Sequence, residues 1–119
     1  MPKNKQPFDY RQAAGIYIGN GVKATGELDV HDDIIIDGDY EGSITTSGFC
    51  EVTENGQLTA DLSAHGATIF GHFKGHIQTE EGLVVKNTAD VDGFLTYGSL
   101  TIQPGATVRA RIKPSESHL

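Results

Sequence analysis

The sequence predicts an all-β fold: a single right-handed β-helix of about six coils, triangular in cross-section, between two disordered tails. Three observations support this. A short phrase returns six times at intervals of roughly 17 residues, which is too short for a helical hairpin and suits one coil of a solenoid. Apolar residues alternate within each copy. Fifteen glycines and only four prolines fit many short strands joined by tight corners.

The repeated phrase is an apolar residue, a spacer, Gly or Ala, a spacer, then Leu or Ile. Its last residues are separated by 16, 18, 15, 18 and 17 positions. Alternation directs the first, third and fifth residues inward, and the small third residue leaves space for side chains of the other walls. Stacking the coils then places the six last residues in one apolar column: Leu28, Ile44, Leu62, Ile77, Leu95 and Ile112.

A second apolar column precedes the phrase, and its distance to the next copy is either four or six residues. The longer gaps contain turn formers, which indicates that two residues are added at a corner. Leu83, Tyr97 and Leu100 are predicted to supply a third wall. Left-handed hexapeptide helices keep nearly 18 residues per coil, so the variable steps favour right-handed winding. The second column consists of Ile36, Val52, Ile69, Val85 and Ile102.

The domain boundaries follow from composition. Residues 1–14 are polar, hold Pro2 and Pro7, and are predicted to be a disordered tail. Residues 15–112 form the β-helix domain, and residues 113–119 form a second disordered tail, because Pro114 ends strand pairing. Residues 15–112 contain five basic and fourteen acidic residues, which argues against direct nucleic-acid binding.

Location is predicted from what the chain does not contain. Its one cysteine, Cys50, is expected to point inward and suits a reducing compartment. There is no apolar run of 18 residues and no secretory signal pattern. The sequence therefore predicts a cytoplasmic protein.

Three phrases resemble the bactofilins, a family of bacterial cytoskeletal proteins: residues 36–44 (IDGDYEGSI), 52–62 (VTENGQLTADL) and 69–77 (IFGHFKGHI). The resemblance covers essentially residues 18–112. It implies a right-handed β-helix that polymerises end to end, without nucleotide, into non-polar filaments. It also implies a scaffold role in cell shape, peptidoglycan synthesis or remodelling, appendage formation or chromosome positioning. The implied partners are other copies of the chain and cell-wall synthesis or hydrolysis proteins. No catalytic residue and no cofactor comes with the family.

The two ends of the predicted stack are the candidate polymer interface. Solenoids normally cap their ends with polar or helical segments, and no helix-like cap follows the last coil. The alternative is that the tails fold back over the ends. The candidate interface residues are Ile16, Tyr17, Ile18 and Val22 in the first coil and Leu100, Ile102, Val108 and Ile112 in the last.

The N-terminal tail departs from the apolar start of many bactofilins, yet it carries three cations and two aromatic residues: Lys3, Lys5, Arg11, Phe8 and Tyr10. Each cation contributes about 1 kcal/mol at an anionic surface, so one tail would bind weakly. Many tails on a filament would bind more firmly. The tail is therefore a candidate for peripheral contact with the cytoplasmic face of the inner membrane, with a merely solvated tail as the alternative.

Other features point to no chemistry. His72 and His76 lie too far apart along one strand to share a zinc ion with His65. The acidic stretch 32–39 lacks the calcium-loop pattern. Phe94 is predicted to face outward and is a candidate partner surface. We expect no enzyme, no metal and no cofactor. Two rivals remain: a β-helical binding module that does not polymerise, and a hexapeptide-like β-helical enzyme.

Overall fold

The computed structural model describes residues 15–114, which contain twelve β-strands and no helix. Short strands of three or four residues alternate with long strands of eight. The short strands are β1 (Ile16–Ile18), β3 (Ile34–Ile36), β5 (Phe49–Val52), β7 (Gly66–Ile69), β9 (Gly82–Val85) and β11 (Ser99–Ile102). The long strands are β2 (Lys23–Val30), β4 (Asp39–Thr46), β6 (Gln57–Ala64), β8 (His72–Thr79), β10 (Asp90–Tyr97) and β12 (Thr107–Pro114).

The strands form two six-stranded sheets in which every pairing is parallel. The short-strand sheet has the order β1-β3-β5-β7-β9-β11, and the long-strand sheet has the order β12-β10-β8-β6-β4-β2. Each coil therefore gives one short and one long strand, and six coils stack in chain order. The predicted parallel β-solenoid of about six coils is confirmed.

The register of the long-strand sheet reproduces the sequence repeat. Lys23 lies beside Asp39, Asp39 beside Gln57, and Gln57 beside His72, and the same steps continue to Thr107. The residue numbers of these pairs differ by the same steps as the repeated phrase in the sequence. The predicted apolar column from Leu28 to Ile112 is therefore confirmed. The second column is confirmed too, with Ile18 as its first member beside Ile36.

The core runs along the axis of the stack. The inward residues of the four central coils are almost wholly buried, as at Ile36, Val52, Phe73 and Leu95. Leu83 and Leu100 belong to the short-strand sheet, since both lie two residues before a member of the second column and share its inward direction. The prediction that Leu83 and Leu100 supply a third wall was wrong. Tyr97, the other residue predicted for that wall, is the last residue of the long strand β10.

Glycines in the middle of the long strands have a backbone conformation that other residues rarely adopt. Gly42 has φ +142°, and a Cβ on it would lie 1.9 Å from the carbonyl oxygen of Gly26 in the preceding coil. Gly75 and Gly93 repeat this arrangement. The sequence interpretation expected these glycines to make space for side chains of other walls. The actual constraint is the backbone of the preceding coil, because a Cβ at these positions would collide with its carbonyl oxygen.

The last described strand, β12, includes Lys113 and Pro114, which pair with Thr96 and Tyr97 of β10. The predicted disordered tail of residues 1–14 lies outside the described residues, and so do residues 115–119.

Candidate functional site

Among the strands of residues 15–114, the four at the two ends of the stack each pair with a single neighbour. Strands β1 and β2 are the edges at one end, and β11 and β12 are the edges at the other. Ile112 is 42% exposed and Ile102 is 41% exposed, whereas their neighbours in the same columns, Leu95 and Val85, are 1% and 0% exposed. Val22 at the opposite end is 46% exposed. Within residues 15–114, the members of the two apolar columns are exposed only in the last coil, at Ile102 and Ile112, whereas Val22 lies in the corner before β2.

The other candidate interface residues divide into two groups. Ile16, Ile18, Leu100 and Val108 are half-buried and pack against the core from the end coils. Tyr17 differs, because it lies between two inward-facing residues of a strand and so faces outward. Its hydroxyl donates a hydrogen bond to a carboxylate oxygen of Asp37 at 3.3 Å.

The first coil leaves open the space that a further coil would occupy. Gly26 has φ +136°, close to the value for Gly42 in the next coil. A Cβ on Gly42 would collide with the backbone beneath it, but nothing lies within 4 Å of the same position on Gly26. The edge at β2 therefore has the backbone shape of a stacked coil without a coil beneath it.

Near the opposite end, the outer face of the long-strand sheet carries ion pairs and one exposed aromatic ring. An Nη of Arg109 lies 3.2 Å from Asp90 and 3.4 Å from Asp92. Phe94 is 52% exposed, as the sequence predicted, and its ring meets that of His76 edge-on at 6.1 Å. Arg109, Asp90 and Asp92 also line a pocket of about 240 Å³ on this face, and Phe94 lies outside it.

Two titratable groups are held neutral in the interior. Burial raises the pKa of the Cys50 thiol to about 12, with a smaller contribution from the nearby Glu51 carboxylate. Cys50 is buried, so the predicted inward orientation is confirmed. Burial, and then the charge of Glu27, raise the pKa of Tyr40, whose hydroxyl donates to the carbonyl of Gly26 at 2.7 Å. Both side chains are buried in the core, and Tyr40 also lines a pocket of about 230 Å³ together with Lys23 and Glu41.

The histidines are dispersed over the surface. His65 lies 3.1 Å from Glu80 and 3.6 Å from Glu81, and His72 lies 3.8 Å from Asp90. Within residues 15–114, no three His, Cys, Asp or Glu side chains converge as a metal site would require. The same part of the chain has no helix long and apolar enough to cross a membrane.

Sequence reasoning missed the outer face of the short-strand sheet. Ile35, Phe70 and Tyr17 line a groove there together with three carboxylates. The signal was present: Ile35 is the middle residue of an Ile-Ile-Ile run, and alternation forces it outward. The acidic stretch 32–39 also has a structural role, since Asp33 accepts a hydrogen bond from the Phe49 amide at 3.0 Å.

The twelve strands thus define the fold class, a parallel β-solenoid of six coils. The comparison with protein families agrees. The sequence model of the bactofilins, described as polymer-forming cytoskeletal, matches residues 16–113. The chain belongs to the bactofilin family.

A curated relative gives the same family name. Bactofilin BacO of Myxococcus xanthus (strain DK1622) is 25% identical to this chain over 108 residues, which cover 89% of this chain and 86% of that protein. No solved structure gives a significant match. The chain is thus a polymer-forming cytoskeletal protein by family, and the family is structural rather than enzymatic.

Proposed function

We propose that this bactofilin assembles end to end into filaments without nucleotide, and that the filaments are a scaffold for cell-shape or cell-wall machinery. The observation that carries the proposal is the exposure of apolar side chains at both ends of the stack, Val22 at one end and Ile102 and Ile112 at the other. Full burial of an Ile or Val side chain stabilises by about 1.5–3 kcal/mol. Covering the exposed two-fifths of Val22, Ile102 or Ile112 would then contribute about 1 kcal/mol each.

The strand edges strengthen the proposal. Unpaired N–H and C=O groups at a sheet edge are a template for pairing with another chain, and soluble proteins usually cover them. Here β2 and β12 are each eight residues long and lie at opposite ends of one sheet. Contacts that do not close on themselves propagate as fibres. End-to-end addition would continue both sheets and the axial core.

The polarity of the filament can be tested through charge. The resemblance implies non-polar filaments, in which like ends meet. Like-end junctions would bring Arg111 and Lys113 of two subunits together, so added salt should favour assembly by screening the repulsion. A head-to-tail junction continuing the register would instead place these cations beside Glu27 and Asp29, and added salt should weaken it. Sedimentation of filaments across a salt series distinguishes the two.

The proposal also covers the handedness of the β-helix, the location of the filament and its client proteins. We propose right-handed winding, as in nearly all parallel β-crossover connections. We place the filament in the cytoplasm, with the basic N-terminal residues in weak contact with the inner membrane and with cell-wall synthesis or hydrolysis proteins as clients. Phe94 is the candidate client surface, since an exposed ring on a solvated face fits partner contact.

Negative-stain electron microscopy at rising protein concentration, with no nucleotide or metal added, tests the assembly. The wild-type chain should give long thin filaments, and Ile112→Arg and Val22→Arg should give folded single rods. Both positions are already more than 40% exposed, so the folded rod should tolerate the charge. Phe94→Arg is the matched control, because the residue is equally exposed but lies on the side of the stack.

Two outcomes would overturn the proposal. Filaments that persist in both end variants would show that the ends are not the junctions. Particles of fixed size at every concentration would favour the alternative, a binding module that does not polymerise and contacts its partner through the face around Phe94.

A further inference from the structure

A groove of about 400 Å³ lies on the outer face of the short-strand sheet, in the first half of the stack. It combines apolar and acidic side chains. The residues that matter for recognition are Tyr17, Ile35 and Phe70 together with Asp37, Glu51 and Glu54. Tyr17, Ile35 and Glu51 are consecutive members of one outward row, and Phe70 extends the groove at the corner after β7.

The charges of the groove are largely unmatched. Asp37 accepts hydrogen bonds from Thr53 at 2.5 Å and from Tyr17. Glu51 and Glu54 have no ion-pair partner among residues 15–114. Among the described residues no lysine or arginine lines the groove, and the Nζ of Lys86 lies over the Phe70 ring, 5.7 Å from its centroid. A ligand that fits must supply positive charge together with aromatic or apolar groups.

The surrounding half of the rod reinforces this selection. Residues 15–64 contain ten acidic residues and one basic residue, whereas residues 65–114 contain four acidic and five basic residues. The potential around the groove is therefore negative on the scale of the whole first half. A cationic segment would be attracted to this half and not to the other.

The chain itself contains a segment with this chemistry. Residues 1–14 carry a net charge of +2, with Lys3, Lys5 and Arg11 as cations and Phe8 and Tyr10 as aromatic residues. The segment joins the rod at β1, the strand that carries Tyr17 into the groove. We propose that the groove binds the chain's own N-terminal segment, with its cations on Glu51 and Glu54 and an aromatic ring against Ile35 and Phe70.

Chain length permits this docking. The groove spans four short strands from β1 to the corner after β7, a distance of about 14 Å at the usual strand spacing. Arg11 is six residues before Tyr17, and Phe8 is nine, which gives reaches of about 20 Å and 30 Å when extended. A short tether also gives an effective concentration in the millimolar range, so a weak site is sufficiently occupied.

Docking has a consequence for the tail. The cations and rings that would fill the groove are those proposed to touch a membrane, so the two contacts exclude each other. The groove would hold the segment on the rod when no anionic surface is near. This inference does not depend on filament formation, and its test is made on single rods carrying Ile112→Arg.

The test places a fluorescent label on a Gln6→Cys variant of the full chain. The native Cys50 is buried and its pKa is raised, so the label goes to the tail. Label anisotropy reports whether the segment is held. We expect the Glu51→Gln, Glu54→Gln double variant to weaken docking between about two- and thirtyfold, the range for two exposed ion pairs. High salt should have the same effect.

Two controls separate docking from general attraction and from misfolding. The Glu27→Gln, Glu41→Gln variant removes the same charge from exposed positions of the other sheet and should leave anisotropy high. Arg11→Gln with Phe8→Ser changes only the tail, cannot unfold the rod, and should lower anisotropy. Equal losses from both acidic pairs would mean unspecific attraction. Anisotropy already low in the parent rod would mean that the segment does not dock. Either result overturns the proposal.

Discussion

The glycines in the middle of the long strands allow two matched substitutions to be compared. Gly26 and Gly42 have nearly the same φ, +136° and +142°, and occupy equivalent positions in successive coils. Alanine at either position adopts a conformation that costs on the order of 1–3 kcal/mol for a residue with a Cβ. At Gly42 the added Cβ would also lie 1.9 Å from the carbonyl oxygen of Gly26, while at Gly26 it meets nothing within 4 Å.

The difference between the two variants isolates the cost of coil-on-coil contact. Overpacking that forces backbone shifts typically costs about 1–3 kcal/mol, so Gly42→Ala should be destabilised by that much more than Gly26→Ala. For a domain of about 100 residues, 1 kcal/mol corresponds to a shift in melting temperature of about 4–8 °C. Gly42→Ala should therefore melt on the order of 10 °C below Gly26→Ala.

The assay is urea and thermal unfolding followed by circular dichroism, in the Ile112→Arg background so that assembly does not contribute. Ala60 occupies the same row and has no positive φ, so Ala60→Gly serves as the reverse substitution where alanine already fits. Equal destabilisation of the two alanine variants would refute the reasoning, because it would show that the preceding backbone does not set the glycine requirement.

Three further predictions concern two single side chains and the N-terminal segment. Folding raises the pKa of Cys50 from 9.0 to about 12, so between those pH values only the unfolded chain loses the thiol proton. The free energy of unfolding should therefore fall by about 1.4 kcal/mol per pH unit in this range. Denaturation at pH 9–11 measures this fall, and a Cys50→Ala variant should not show it. Removing the hydroxyl that bonds the Gly26 carbonyl, in Tyr40→Phe, should lower the free energy of unfolding by about 1 kcal/mol, and an unchanged urea midpoint would contradict this. Deleting residues 1–14 should leave filaments intact and reduce co-sedimentation with anionic liposomes, and unchanged co-sedimentation would reject the membrane role of the tail.

The coil register was predictable because it depends on one strong constraint. In a solenoid, each inward residue must lie over its equivalent in the next coil, so the spacing of Leu28, Ile44 and Leu62 in the sequence is also the strand register. The same alternation predicted the buried Cys50 and the exposed Phe94 correctly. The spacing of apolar residues in the sequence therefore predicts the strand register and the direction of each side chain, and no interatomic distance is needed.

The groove and the reason for the glycines were not predictable in the same way. Tyr17, Ile35 and Phe70 come from three different coils, and their convergence depends on how the corners between the strands are built. The collision above Gly42 involves a carbonyl oxygen, and no sequence pattern reports where main-chain atoms of a neighbouring coil lie. Side-chain reasoning therefore assigned these glycines to the interior, whereas the constraint lies along the axis.

The parallel pairing of both sheets has a mechanical consequence. Hydrogen bonds between coils point along the axis of the stack, so a pull along the rod loads all the bonds between two coils at once rather than one after another. Simultaneous loading resists extension more strongly than sequential unzipping. In a filament of such rods, the same tension would act on every contact between coils, so the filament would break at its weakest contact.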